Sequence, residues 1–494
     1  MCERIIKLAK NYFHMLIKQK AKIIFLSFIL SSSVFFSQAH NVSEGYQKPA
    51  DPLVVQNLEE WQDLKFGLFM HWGTYSQWGI VESWSLCPED ESWTQRKPEH
   101  GTSYNEYVKN YEKLQTTFNP LQFNPQKWAD AAKKAGMKYI VFTTKHHDGF
   151  AMFDTKQSDY KITSSKTPFS GNPKADVTKE IFNTFRKEGF KIGAYFSKPD
   201  WHSDDYWWSY FPPKDRNVNY DPQKYPKKWN SFKQYTFNQL NEITSNYGKI
   251  HILWLDGGWV RPFHTIDPKV EWQRTIKVEQ DIDMDKIGTM ARKNQPGIII
   301  VDRTVSGKWE NYVTPEQAVP EHTLSIPWES CITMGDSFSY VPNDNYKSSQ
   351  KIIETLIKII SRGGNYLMNI APGPDGDYDA IVYERLAEIS DWMNKNQSAV
   401  FATRIIAPYH EGNIYYTQSK DGNTINVFHL NEDSEYHAPA EINFSLPQNF
   451  NPKSLTIPGI SSRIQWKKIG DNIRVKLPDN RKNLKYATVI QMQK

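Results

Sequence analysis

The stretch KYIVFTTKHHDGF, residues 138–150, opens as a continuous apolar run and ends in two histidines, an aspartate and a glycine. A short run with no polar alternation suits a strand covered on both faces. Polar residues crowded at its end suit the mouth of a parallel barrel, where chemistry gathers at the C-terminal ends of the strands. Working outward, similar runs occur at FGLFMHW (66–72), FKIGAYFS (190–197), IHILWLDG (250–257) and GIIIVDR (297–303). Three more follow at HTLSIPWE (322–329), NYLMNI (365–370) and VFATRII (400–406). Eight such runs separated by helical segments predict an α/β fold, a (β/α)8-like TIM barrel over residues 40–406.

The intervening segments carry helix punctuation. In NPQKWADAAKKAG, Asn124 is the expected N-cap, Pro125 the first helical residue and Gly136 the stop, with Trp128, Ala131, Ala132 and Ala135 as the apolar face. Asp176 and Gly189 bracket the next helix in the same way, and Val382, Leu386, Ile389 and Met393 share one stripe of a later one. After residue 406 the texture changes to short alternating runs split by Asn, Gly and Pro, such as TINVFHL and IRVKLP. These predict a C-terminal antiparallel β-sandwich over 407–494. At the other end, Lys18, Lys20 and Lys22 precede the apolar IIFLSFILSSSVFF, and SQA closes at Ala39. That order is a signal peptide over residues 1–39, whose translation start is Met1 or Met15, so the protein is expected to be exported, periplasmic or secreted. No stable membrane insertion is expected after cleavage.

Composition narrows the partner. The net charge of +5 resides partly in the export segment, so nothing argues for nucleic acid. The 17 Trp, 26 Tyr and 26 Phe lean towards sugar rings, whose apolar faces pack on aromatics. Only Cys87 and Cys331 follow the export segment, so the fold does not rest on disulfides.

The expected strand ends bring together His71, His146, His147, Tyr195, Trp254, Asp256, Arg303 and Glu329. Adjacent histidines on a regular strand point to opposite faces, and no ligand-spaced His or Cys set accompanies them. A sugar-binding rim therefore fits better than a metal, and no cofactor is expected. Asp256 ends a buried strand between Trp254 and Trp259, where a carboxylate needs a partner or a task. Retaining glycoside hydrolysis needs a second carboxyl group about 5–5.5 Å away. Glu316, Glu321 and Glu329 are the downstream candidates, and spacing alone does not choose among them.

Together these residues resemble the glycoside hydrolase family 29 α-L-fucosidases. The resemblance rests on KFGLFMHWGTYS (65–76), KYIVFTTKHHDGFAMFDT (138–155), LWLDGGW (253–259), VDRT (301–304), TPEQ (314–317), PWESCITMGDSFSY (327–340) and GGNYLMNIAPGPDGD (363–377). It implies a retaining exo-acting enzyme with Asp256 as nucleophile. The resemblance further implies that His71, His146 and His147 hold sugar hydroxyls, with Trp254, Tyr195 and Arg303 lining the same pocket and Glu329 among its contacts. One subgroup of the family places the acid/base about thirteen residues before the W-E-x-C glutamate, which selects Glu316, with Glu321 second. The partner implied is a fucosylated glycan or oligosaccharide.

One departure bears on specificity. Family members often carry Glu-Trp-Tyr after the first strand, whereas here Ser83 separates Glu82 from Trp84. A changed wall near the sugar's methyl group would admit an α-L-galactoside of a polysaccharide. The remaining alternatives are a glycosidase whose substrate supplies the nucleophile, against which the single acid of LWLDGGW counts, and a non-catalytic carbohydrate-binding protein. The aromatic loop 198–220 is expected to form the rim facing the leaving group, with Asp204 and Asp205 either taking hydroxyls or solvated.

Overall fold

The computed structural model describes residues 45–494 apart from 89–93, 95, 432–434 and 449. The expected signal peptide lies outside the described residues. Seven strands form one parallel sheet: β1 Phe66–Met70, β2 Tyr139–Lys145, β3 Lys191–Ser197, β4 Ile252–Asp256, β5 Ile299–Asp302, β6 Glu329–Thr333 and β7 Asn365–Asn369. Their order is β5-β4-β3-β2-β1-β7-β6. The sheet is curled, and alternation along each strand sends side chains into two separate cores. Phe69, Val141, Tyr195, Trp254, Val301 and Leu367 pack together inside the curl. Leu68, Ile140, Ile192, Leu253, Ile300 and Met368 lie in the larger core that contains the helices.

The two sheet edges, β5 and β6, are bridged by residues 309–317. Asp302 N donates to Trp309 O and Asn311 N to Ile300 O, both at 2.9 Å; on the other side Gln317 N donates to Cys331 O at 2.9 Å. The helices follow their punctuation. Asn124 accepts from Lys127 N at the start of helix Pro125–Lys134, and Asp176 accepts from Lys179 N at the start of Val177–Lys187. Gly136 and Gly189, at φ of 89° and 91°, end these helices in the left-handed region.

Two expected strands are corrected. Residues 322–326 of the run 322–329 form no strand; Trp328 makes an isolated parallel bridge to Val313, and β6 itself starts at Glu329, two residues after Pro327. Pro320 and Pro327 supply no amide donors, so a regular ladder forms only beyond them. The run 400–406 does not add an eighth parallel strand. Helix Ala380–Val400 takes its first residue, and Thr403 and Arg404 pair antiparallel with Ser419 and Gln418. This short strand, β8, therefore belongs to the C-terminal sheets. A six-stranded antiparallel sheet and a three-stranded one share an apolar cluster that joins Tyr416, Val427 and Ile490 to Phe444, Ile473 and Val475. Tyr415, Phe428 and Val489 from the larger sheet join the main core instead. Cys87 and Cys331 are both buried and are not joined by a disulfide.

Candidate active site

The C-terminal ends of β1 to β5 converge on one carboxylate. Asp256, the last residue of β4, accepts from Tyr195 Oη at 2.8 Å through Oδ2 and from Arg303 Nη1 at 3.0 Å through Oδ1. His147 Nε2 stands 3.8 Å from Oδ2. Burial alone would push this carboxyl up, but the Arg303 charge and the neighbouring histidines outweigh it and hold it well below the usual carboxylate range. Trp254, two residues earlier, stacks on Tyr195 with ring centroids 5.4 Å apart, and the Arg303 guanidinium lies 5.3 Å from the Trp254 ring.

Arg303 also donates through Nη2 to Glu316 Oε2. Glu316 reaches this position because residues 309–317 run between β5 and β6. Its side chain is about one-third exposed, whereas that of Asp256 is 14% exposed, so Glu316 faces the opening. One guanidinium therefore joins two carboxylates of unequal access.

The two adjacent histidines both reach the site because β2 ends at Lys145 after a register shift against β3. Their ring centroids lie 4.2 Å apart, and His71 stands 5.6 Å from His146. Burial lowers all three, His71 to about 4 and His147 to about 3, so they are neutral hydrogen-bonding groups at neutral pH. His71 Nδ1 is 2.7 Å from Asn369 Oδ1, and His146 Nδ1 bonds Ser83 Oγ. The Nδ1 atom of His147 is buried with no protein partner.

Glu82 is buried and accepts from Ser339 N at 2.7 Å; burial pushes its carboxyl up to about 8. Trp84, Trp201 and Trp259 surround His147 with centroids 5.1–5.2 Å from its ring. Trp207 stacks on Trp201 at 4.9 Å, so the aromatic loop 198–220 continues this wall outward. Asp204 and Asp205, both open to solvent, also bind Lys228 at 2.7 Å and 3.3 Å.

Two residues expected at the site sit elsewhere. Glu329 begins β6 instead of ending a strand, so it is wholly buried beneath the pocket floor. It accepts from Tyr139 Oη at 2.5 Å, Tyr312 Oη at 3.1 Å and Trp254 Nε1 at 3.4 Å, and burial raises it to about 7. Glu321 is exposed, and its carbonyl accepts from Arg362 just before β7 begins, at the opposite end of the strands.

Phe338 and Asn369 also reach the site, and Ser83, in sequence only a spacer between Glu82 and Trp84, bonds His146. Asn369 ends β7, so the rule that flagged the other strand ends would have found it. The ligand atoms of His146, His147 and Asp256 lie within 4.8 Å of one another. The Arg303 charge on Asp256 opposes a cation there, whereas sugar hydroxyls meet no such repulsion.

A family model described as Alpha-L-fucosidase matches residues 33–398. The tissue α-L-fucosidase of Homo sapiens is 26% identical over 439 residues, 83% of this chain and 82% of that protein. The α-L-fucosidase of Dictyostelium discoideum is 26% identical over 79% of this chain and 82% of its own length. Among solved structures, α-L-fucosidase isoenzyme 1 from Paenibacillus thiaminolyticus superposes with a TM-score of 0.72 at 26% identity, covering 89% of this chain and 99% of that one. A trapped covalent intermediate of a Bacteroides thetaiotaomicron α-L-fucosidase with 2-fluoro-fucosyl fluoride gives a TM-score of 0.69 at 22% identity, covering 92% and 98%.

Proposed function

The chain belongs to the glycoside hydrolase family 29 α-L-fucosidases, and from that premise we propose that it is a retaining, exo-acting enzyme that removes terminal α-L-fucosyl groups from glycans. The observation that carries this reading is the Arg303 guanidinium shared by Asp256 and Glu316. Sharing one fork puts both carboxylates on the same guanidinium, as suits a pair that acts on one glycosidic bond. Asp256, buried and ionised, attacks the anomeric carbon. Glu316, nearer the opening, acts in its protonated form and gives that proton to the departing glycosidic oxygen. The resulting glycosyl-enzyme is an ester of Asp256. Glu316 then takes a proton from water, whose oxygen attacks the anomeric carbon and frees Asp256, giving net retention. The trapped covalent intermediate of the Bacteroides thetaiotaomicron protein supports the same two-step route. His71, His146, His147, Glu82 and Trp84 form the wall that takes the sugar.

The accompanying fold reading is a (β/α)8-like barrel closed across β5 and β6 by residues 309–317, followed by a β-sandwich that begins at β8 rather than at residue 407. From the basic and apolar segment ending at Ala39 we read the enzyme as exported and acting on fucosylated glycans outside the cytoplasm. Among the described residues no helix is long and apolar enough to cross a membrane.

The α-L-galactoside reading draws less support. Ser83 is fully buried and turned onto His146, so the extra residue between Glu82 and Trp84 is taken up away from the sugar. Phe338 supplies an apolar ring 5.0 Å from His71, which suits a methyl group better than a hydroxymethyl. The test is hydrolysis of p-nitrophenyl α-L-fucoside and α-L-galactoside, with azide added to two variants. Asp256→Gly is expected to give β-fucosyl azide by direct displacement, and Glu316→Ala α-fucosyl azide by capture of the intermediate. Azide products of the opposite configuration would reverse the two roles. Sugar binding without turnover of either glycoside would leave a binding protein.

A further inference from the structure

Asn369, the last residue of β7, is 2% exposed and uses both ends of its amide. Its Nδ2 donates to Phe338 O at 2.7 Å. Its Oδ1 must then be the atom facing His71, and it stands 2.7 Å from His71 Nδ1. An amide oxygen only accepts, so Nδ1 carries the proton. In the neutral ring Nε2 is consequently a lone-pair acceptor. His71 is kept neutral by the same burial that surrounds it with His146, Tyr195 and the Phe338 ring; Asp256 and Arg303, the charged groups acting on it, oppose each other.

We propose that Asn369 is a positioning residue that fixes His71 as a hydrogen-bond acceptor for one sugar hydroxyl and, through the other end of its amide, fixes the Phe338 loop against the same sugar. This rests on the reading of the pocket as the fucosyl site. The loop is held from the other side as well, because Ser339 N donates to Glu82 Oε1 and Ser339 Oγ accepts from Glu82 N at 3.1 Å. The polar contact and the apolar wall thus share one support. Its loss is expected to affect hydroxyl recognition and methyl recognition together.

Two measurements test this. The first needs no substrate: long-range proton–nitrogen NMR of the histidine-labelled protein is expected to show His71 as the neutral tautomer protonated at Nδ1. A proton on Nε2 would overturn the proposal even if the enzyme cut no fucoside. The second compares Asn369→Asp and Asn369→Leu with wild type, after equal melting temperatures establish folding. Asn369→Asp places a carboxylate on Nδ1 and favours the imidazolium, which donates at Nε2. Its kcat/KM for p-nitrophenyl α-L-fucoside is expected to fall on the acid side at a pH at least one unit higher than in wild type. Asn369→Leu is expected to lose about tenfold or more in kcat/KM without moving that limb, and to narrow the fucoside-to-galactoside ratio. An unmoved limb in Asn369→Asp, or a Leu variant within twofold of wild type on both glycosides, would refute it. Absence of fucoside turnover in wild type itself would instead fail the functional reading and leave the NMR result to decide this one.

Discussion

Asp256 is ionised although it is buried, because Arg303 binds one of its oxygens and Tyr195 the other. Exchanging the carboxylate for an amide keeps the shape and removes the group proposed to attack the anomeric carbon. Asp256→Asn is expected to lower kcat/KM on p-nitrophenyl α-L-fucoside at least about a thousandfold; loss under tenfold would remove it from the chemistry. The histidines make the complementary point. Adjacency alone gives His146 and His147 no shared face, because a regular strand would separate them. The end of β2 at Lys145 brings the rings together, and burial keeps them neutral. Glu329 shows the opposite outcome: an acid beside the right tryptophan, placed one layer too deep by where its strand begins.

Elements hold these side chains in register, and their failure modes are local. Gly67 on β1 faces the Tyr139 ring so closely that a Cβ would lie 2.4 Å from its Cζ. Tyr139 cannot swing aside without releasing Glu329. Gly67→Ala is therefore expected to destabilise by about 1–3 kcal/mol in urea unfolding, and a neutral result would show that the ring is free to shift. Helix Val177–Lys187 gives a milder case. Asp176 caps it and also accepts from Tyr247 Oη at 3.0 Å. Asp176→Ala is expected to cost about 1–2 kcal/mol by the same measurement. Helix starts were legible because a cap is a local bond between near neighbours. The sixth strand was not, because its start depends on where Pro327 releases the chain to pair with β7.

At the scale of the whole molecule, buried titratable groups set how stability follows pH. Folded His71 and His147 stay neutral down to about pH 4 and 3, whereas an unfolded histidine takes up a proton near pH 6.5. The unfolded state binds more protons below about pH 6.5, so stability falls as pH drops through that window. Glu82 and Glu329 keep their protons to about pH 8 and 7 when folded. Unfolded glutamates release theirs near pH 4.3, so this contribution is lost as pH rises from there to about 8. The melting temperature is expected to peak between about pH 4.5 and 6.5 and to fall towards pH 8. Glu329→Gln is expected to move the maximum towards the upper end of that range; an unchanged profile would assign the fall to other groups. Tyr415, Phe428 and Val489 of the C-terminal sheet complete the main core, so a chain ending at Ala402 is expected to be insoluble or to melt at markedly lower temperature. Read alone, the sequence reached the parallel β/α plan, the helix caps, the family and most of the polar strand ends, because periodicity, capping and motif order are legible along the chain. Folding in three dimensions settled that Arg303 joins Asp256 to Glu316, that Glu329 lies beneath the pocket, that residues 403–404 pair with the antiparallel sheet, and that Asn369 meets His71. Each of these is a contact between residues far apart in sequence, fixed by where strands start, stop and curl.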